Sequence, residues 1–456
     1  MNRPDATLGS TELFYQRDRP LAAVPGYAVG LQVTLTSGEG VYLALAATEF
    51  VVYFQNNLAL HFDLEARLVK VAEPNQYWRR SLSHRVVFSR KRPAEEGGGL
   101  ERVVLAEDEA DRLVEEANRP IRHLWEEWRT GHARFESGKP NIAAAGDAIR
   151  PLLQRVAQFN VAAARADAGR FTAIYRSVAV LPPNEYNALV LQATEGCSYN
   201  HCAFCQLYQG VRYRAKSPAE FAAHIAEVVR YHGETLRARR SLFLGEANAL
   251  ALPQRDLVAD FQLLREQFEL PAPEQTDPGA GWWLGNPRRF DGVGSFLDVF
   301  TGAPRPATDW AELYRLGLRR VYIGLESGAD NLLRWLRKPA TADAVIRTVT
   351  TLKEARLNVG VIVLLGAGGQ QLAASHVAET VRVLNALPLS RGDYIYLSPL
   401  VIYPGGPYDA TALADRITAL TPAELDAQEQ AIRRGLRLGR QGSPYVARYD
   451  LETFTY

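Results

Sequence analysis

The chain has 456 residues, 47% of them hydrophobic and 23% charged, a balance that buries a core and excludes a disordered chain. Its 52 basic and 51 acidic residues leave a net charge of +1, so no overall field draws it to nucleic acid or to an anionic membrane. The length exceeds one ordinary hydrophobic core and predicts two domains, or a barrel with a large appendage.

In chain order, Met1 to Asp5 leads into polar residues without the apolar stretch of a signal peptide. The longest apolar run of the second half, 359–365, falls far short of the ~20 residues that cross a bilayer. A cytoplasmic protein without membrane attachment is expected. Apolar and polar residues alternate over 30–35, and Phe50 to Phe54 is a β-branched and aromatic run. With turn residues at 37–40 and at Asn56 and Asn57, residues 1–95 read as an antiparallel meander. Gly97, Gly98 and Gly99 end it, and 107–116 and 121–134 carry apolar residues at helical spacing. Trp78, Trp125, Trp128, Trp282 and Trp283 read as core or interface residues.

Beyond Pro182 and Pro183 the pattern changes. Apolar strands are expected at 187–193, 241–244, 296–300, 320–325, 359–365 and 394–400. Helices are expected between most of them, at 219–231, 257–268, 310–316, 343–355 and 375–387. Repeated βα alternation implies a parallel sheet, open or closed into a barrel. The expected organisation is an accessory β-rich and helical domain over 1–180, a βα core over 181–408 and a helical extension over 409–456.

Cys197, Cys202 and Cys205, the only cysteines, lie within nine residues. Three thiols cannot complete a disulfide framework, so shared metal chemistry is the economical reading. They follow the first βα strand, on the loop where such folds place their active sites. Soft thiolates suit an iron-sulfur cluster or zinc. With zinc, His201 offers a fourth tetrahedral ligand. With a 4Fe-4S cube, three cysteines leave one iron open for chemistry.

Cys197 to Cys205 with its CX4CX2C spacing resembles the motif of the radical S-adenosylmethionine (radical SAM) superfamily, of the Elongator-like and coproporphyrinogen-dehydrogenase-like barrel type. The usual motif has three residues between the first two cysteines; this chain has four. The resemblance covers 186–408 and implies a partial (β/α)6 parallel barrel. It implies a 4Fe-4S cluster on the three cysteines and S-adenosylmethionine (SAM) on the open iron. Phe204, just before the last cysteine, stands where an aromatic residue packs near the adenine. Gly245 and Glu246 resemble the glycine-glycine-glutamate turn for the methionyl amino group, with Leu244 in place of the first glycine. Glu326 and Ser327 stand where a carboxylate or hydroxyl reaches the ribose, and Val363 belongs to the fifth strand beside the adenine. Arg289, Arg337 and Lys338 are candidates for the methionine carboxylate.

The implied reaction is reductive cleavage of SAM to a 5'-deoxyadenosyl radical, fed by a low-potential donor of flavodoxin or ferredoxin type and acting on an unknown substrate. No residue stands out as the one that redirects the substrate radical. With every cysteine used, none is left for a second cluster or a cysteinyl radical. A zinc-binding βα barrel, and a cluster- and SAM-binding regulatory protein without turnover, are the alternatives.

Overall fold

The computed structural model describes residues 28–92, 99–176, 178–272, 286–437, 442–451 and 454–456. Gly97, Gly98, Trp282 and Trp283 lie outside them. The chain divides into two compact units, one of residues 1–173, 232–238 and 455–456, the other of 174–231 and 239–454.

The first unit begins with an up-and-down run: β1 (Val29–Thr34), β2 (Gly40–Leu45), β3 (Phe50–Phe54), β4 (Ala59–Phe62), β5 (Leu68–Glu73), β6 (Gln76–Arg80), β7 (Val86–Lys91) and β8 (Leu100–Val104). Each strand pairs antiparallel with the next. Two-residue alternation places Leu31, Val33, Val41, Leu43, Phe50 and Val52 on one buried face. Against that face pack α1 (Glu107–Arg129) and α2 (Ile142–Ala157), through Val114, Ile121, Leu124, Ile149 and Leu153. Trp78, Trp125 and Trp128 join this core as partly buried members. Between these helices β9 (Arg134–Lys139) pairs with β1, and α3 (Val161–Ile174) follows.

The expected break near residue 117 is absent, and α1 runs unbroken through Pro120. Its apolar stripe of Ala110, Val114, Ala117, Ile121 and Leu124 stays in phase across the proline, so packing outweighs one lost backbone hydrogen bond. Conversely, the helix expected to reach 134 stops at Arg129, and Arg134 opens β9.

The second unit is α/β. Its elements are β10 (Ala188–Gln192), β11 (Thr194–Glu195), β12 (Arg214–Ala215), α4 (Pro218–His232), β13 (Ser241–Gly245), α5 (Gln254–Gln267) and β14 (Val293–Leu297). There follow α6 (Ala307–Leu316), β15 (Leu318–Glu326), α7 (Asp330–Trp335), α8 (Ala342–Glu354), β16 (Asn358–Leu365), α9 (Gly369–Ala386), β17 (Tyr394–Pro399), α10 (Pro407–Ala414), α11 (Pro422–Gly435) and β18 (Tyr445–Arg448). β10, β13, β14, β15, β16, β17 and β18 form one parallel sheet in that order. This is the partial barrel, and burial on both faces explains why its strands read as continuous apolar runs.

Two differences from the expected core have local causes. β14 ends at Leu297, earlier than the expected 300, because Asp298 Oδ1 accepts hydrogen bonds from the N–H groups of Phe300 (3.2 Å) and Thr301 (2.8 Å) and turns the chain. The C-terminal segment, expected to be helical, also supplies β18 as a seventh strand beside β17. Among the described residues no helix is long and apolar enough to cross a membrane.

Candidate functional site

The three cysteines occupy the loop between β11 and β12. These two short strands pair antiparallel, Thr194 with Ala215 and Glu195 with Arg214, and so close the loop at its base. Glu195, almost buried, receives Arg214 (2.9 Å) and Lys216 (3.0 Å). Burial opposes its charge, but hydrogen bonds from these two cations hold its carboxyl below the ordinary range. Gly196 starts the loop at φ +72°, with the Val211 carbonyl 3.1 Å from where a Cβ would stand, so both backbone and space ask for glycine.

Within the loop, Cys205 N–H donates to the Cys202 carbonyl (3.2 Å), and Asn200, at φ +51°, ties the turn to the Tyr208 carbonyl (2.9 Å). Ala203 N–H donates to the Leu336 carbonyl (2.9 Å) and Tyr199 OH to the Arg337 carbonyl (2.8 Å), fixing the loop to the chain after α7. Phe204 packs against the cluster of Ala329, Leu332, Leu336, Leu364 and Ala367.

The thiols lie near enough to feel one another's charge. Burial pushes the Cys202 thiol up to about 12 and the Cys205 thiol up to about 11. Bare thiolates are disfavoured there, and a metal cation held against them would stabilise the ionised form. Among the described residues no three His, Cys, Asp or Glu side chains are grouped tightly enough for a single metal ion. His201, the candidate fourth zinc ligand, is exposed, its ring edge-on to Tyr199 at 5.3 Å. Three soft donors on one closed loop therefore fit a cube with a free corner better than a tetrahedral zinc ion.

Two buried carboxylates flank the loop. Glu246, just past β13, accepts from the Gln192 amide (2.9 Å) and from Gly196 N–H, while its own N–H donates to Thr194 Oγ1 (3.1 Å). It thus holds the first residue of the cysteine loop. Gly245 pairs with Gln192 across the sheet. Glu326, at the end of β15 with φ +57°, forms an ion pair with Lys338 at 2.8 Å, both side chains nearly buried. Lys338 also donates to the Gly324 carbonyl (2.7 Å). Burial works against its charge, but the Glu326 carboxylate raises its pKa. A Cβ on Gly324 would collide with this pair.

A cleft opens beside the loop, bordered by Phe204, Cys205, Glu326, Ile362, Leu364 and Ser398 among others. Val363 does not border it. Side chains alternate along β16, so Val363 is fully buried on the opposite face and the expected apolar wall belongs to Ile362 and Leu364. Ser327 is also turned away: its hydroxyl is fully buried, bonded to His376 Nδ1 (2.8 Å) and Ala329 N–H (3.0 Å). Of the candidates for the methionine carboxylate, Arg289 pairs with Glu269 at 3.0 Å, Arg337 is exposed, and Lys338 alone stands beside Glu326. The supporting roles of Gln192 and Thr194 escaped the sequence reading, because neither residue type signals anything until the sheet brings it beside Glu246.

Residues 191–382 match the Radical SAM superfamily. No curated protein matches the chain. Among solved structures it is similar to the cobalamin-dependent S-adenosylmethionine radical enzyme OxsB, at 15% identity over 55% of this chain and 31% of that one, TM-score 0.34. It is also similar to the radical S-adenosylmethionine methyltransferase TsrM from Kitasatospora setae, at 17% identity over 50% and 38%, TM-score 0.35. A third is coproporphyrinogen III oxidase from Escherichia coli, at 13% identity over 54% and 50%, TM-score 0.36. The chain thus spans from under a third to half the length of these three. The superfamily's cofactors are a 4Fe-4S cluster and SAM. Residues 191–382 of the chain thus carry a domain similar to that of the radical SAM superfamily.

Proposed function

We propose that this chain cleaves SAM reductively at a 4Fe-4S cluster bound by Cys197, Cys202 and Cys205 and directs the resulting 5'-deoxyadenosyl radical at a substrate still to be identified. The observation that carries this reading is the placement of three thiols on one closed loop beside Glu246 and the Glu326–Lys338 pair, at the C-terminal ends of parallel strands. When bound, the cluster supplies one low-potential electron, which splits the sulfonium into methionine and the deoxyadenosyl radical.

The chain's own groups position and shield. Phe204, Ile362 and Leu364 offer an apolar wall to the adenine. Glu326 faces the same cleft and is positioned for the ribose hydroxyls, while its ion pair keeps Lys338 charged within reach of an anionic group. Glu246 holds Gly196 and offers its remaining acceptor capacity to the methionyl ammonium. Val363 and Ser327 support the site from behind.

Radical SAM enzymes take their electron from an external reductant; here we assign a donor of flavodoxin or ferredoxin type and a cytoplasmic setting. The test is anaerobic reconstitution with iron and sulfide followed by dithionite and SAM. Formation of 5'-deoxyadenosine is expected. An intact cluster that binds SAM and yields no nucleoside overturns the reading in favour of a regulatory protein.

A further inference from the structure

The chain leaves β15 through two departures from regular strand geometry. Glu326 takes φ +57°, a left-handed conformation that a residue with a Cβ rarely adopts. Just before it the register with β16 slips: Gly324 faces Ile362 and Glu326 faces Val363, so Leu325 is an extra residue, a β-bulge. Such features cost free energy and persist only where surrounding contacts hold them, and they re-aim the side chains they carry. The side chain aimed here is the carboxylate that borders the cleft and pairs with Lys338 at 2.8 Å.

The contacts that hold it come from α9. Gly328 N–H donates to Thr380 Oγ1 (3.0 Å). Ser327 Oγ accepts from Ala329 N–H (3.0 Å), which directs its proton to His376 Nδ1 (2.8 Å). Ser327, His376 and Thr380 are all fully buried. The approach is close as well: a Cβ on Gly328 would overlap the Glu379 carbonyl and lie 2.6 Å from Thr380 N. His376 and Thr380 do not border the cleft, so any effect they have on a ligand there passes through the turn.

Resting on the assignment of Glu326 to the ribose hydroxyls, we propose that Thr380 and His376 are positioning residues for SAM, pinning Ser327 and Gly328 to α9 and thereby fixing the direction of the Glu326 carboxylate. Without either one, a buried N–H or hydroxyl loses its partner, and the turn relaxes toward ordinary backbone. The carboxylate then swings away from the ribose.

The test measures equilibrium binding of SAM and of its 2',3'-dideoxy analogue to the full-length, cluster-loaded protein without reductant. The parent should prefer SAM at least about tenfold, because hydroxyls bonded to a carboxylate are worth more than neutral pairs. Glu326→Gln should remove most of that preference. Thr380→Val should weaken SAM about fivefold and the dideoxy analogue less than about twofold, with Thr380→Ser restoring the parent values. His376→Leu should act in the same direction, and Gly328→Ala more strongly; should either fold poorly, the two Thr380 variants carry the test.

A Thr380→Val variant that keeps the parent's preference, or that weakens both ligands equally, overturns the proposal. A parent without the preference, or a Glu326→Gln variant that retains it, removes the ribose role of Glu326 and the proposal with it. Formation of 5'-deoxyadenosine under dithionite is measured separately. Its absence with the expected binding pattern sinks the cleavage reading and leaves the positioning roles standing. Its presence with a Thr380→Val variant that binds like the parent does the reverse.

Discussion

The two units bury charge in different ways. In the first, Arg67 is nearly buried between Asp167 (3.0 Å) and Asp63 (3.3 Å), and His84 lies between Arg80 (3.0 Å) and Asp111 (2.9 Å). These groups join strands to loops and helices. In the parallel unit, Glu246 and Glu326 stand at strand ends, one holding the cysteine loop and the other facing a cleft. Burial alone therefore does not mark a site; burial at the C-terminal end of a parallel strand, beside groups that need a cofactor, does.

Substitutions sharpen that contrast, and the largest effect falls on the thiols. Cys202→Ala should bring 5'-deoxyadenosine down to background and remove most of the iron, while circular dichroism stays that of the parent. Next come the ion pairs. Removing one partner of a buried pair strands the other charge at about 3–5 kcal/mol. Arg67→Met and Lys338→Met should thus lower stability to denaturant by similar amounts. Only Lys338→Met should also weaken SAM binding, because only its partner faces the cleft. Equal loss of SAM affinity in both variants would erase the distinction between the units.

A further effect follows from pH. In the parallel unit, burial lowers His376 from 6.5 to about 4 and His224 to about 3. Each is neutral when folded, so between pH 6.5 and its folded value the unfolded chain binds the extra proton and stability falls with acidification. At pH 5 this amounts to about 2 kcal/mol per histidine. Asp260 acts in the opposite sense: burial raises it to about 7, so it regains stability as pH falls from 7. Asp260→Asn should therefore steepen the loss of melting temperature between pH 7 and pH 5, and His376→Phe should flatten it.

The smallest effect should be alike in both units. Asn141 caps α2 by accepting from Ala144 N–H (2.9 Å), and Thr421 caps α11 by accepting from Glu424 N–H (3.3 Å). Alanine at either position should cost about 1 kcal/mol with iron content unchanged, since caps act locally.

The sequence made the parallel strands and the cysteine loop legible because both rest on local signals, apolar runs in one case and thiol spacing in the other. The antiparallel meander was legible for the same reason. What escaped depends on partners far apart in the chain. The stretches 107–116 and 121–134 read as separate because local spacing does not reveal the continuous stripe that α1 buries. Val363 and Ser327 were placed by position in a motif, and only the observed alternation of β16 and the packing of α9 assign their side chains to the far side. β18 was hidden because four residues, Tyr445–Arg448, carry too little periodicity to declare a strand until β17 offers them an edge.

The central claim is that three neighbouring thiols hold a cube of iron and sulfide. Iron and acid-labile sulfide should be counted per chain in anaerobically reconstituted protein, with and without Cys202. The account predicts about four of each in the parent and close to none in Cys202→Ala. A parent that takes up one zinc ion per chain and refuses iron would contradict it.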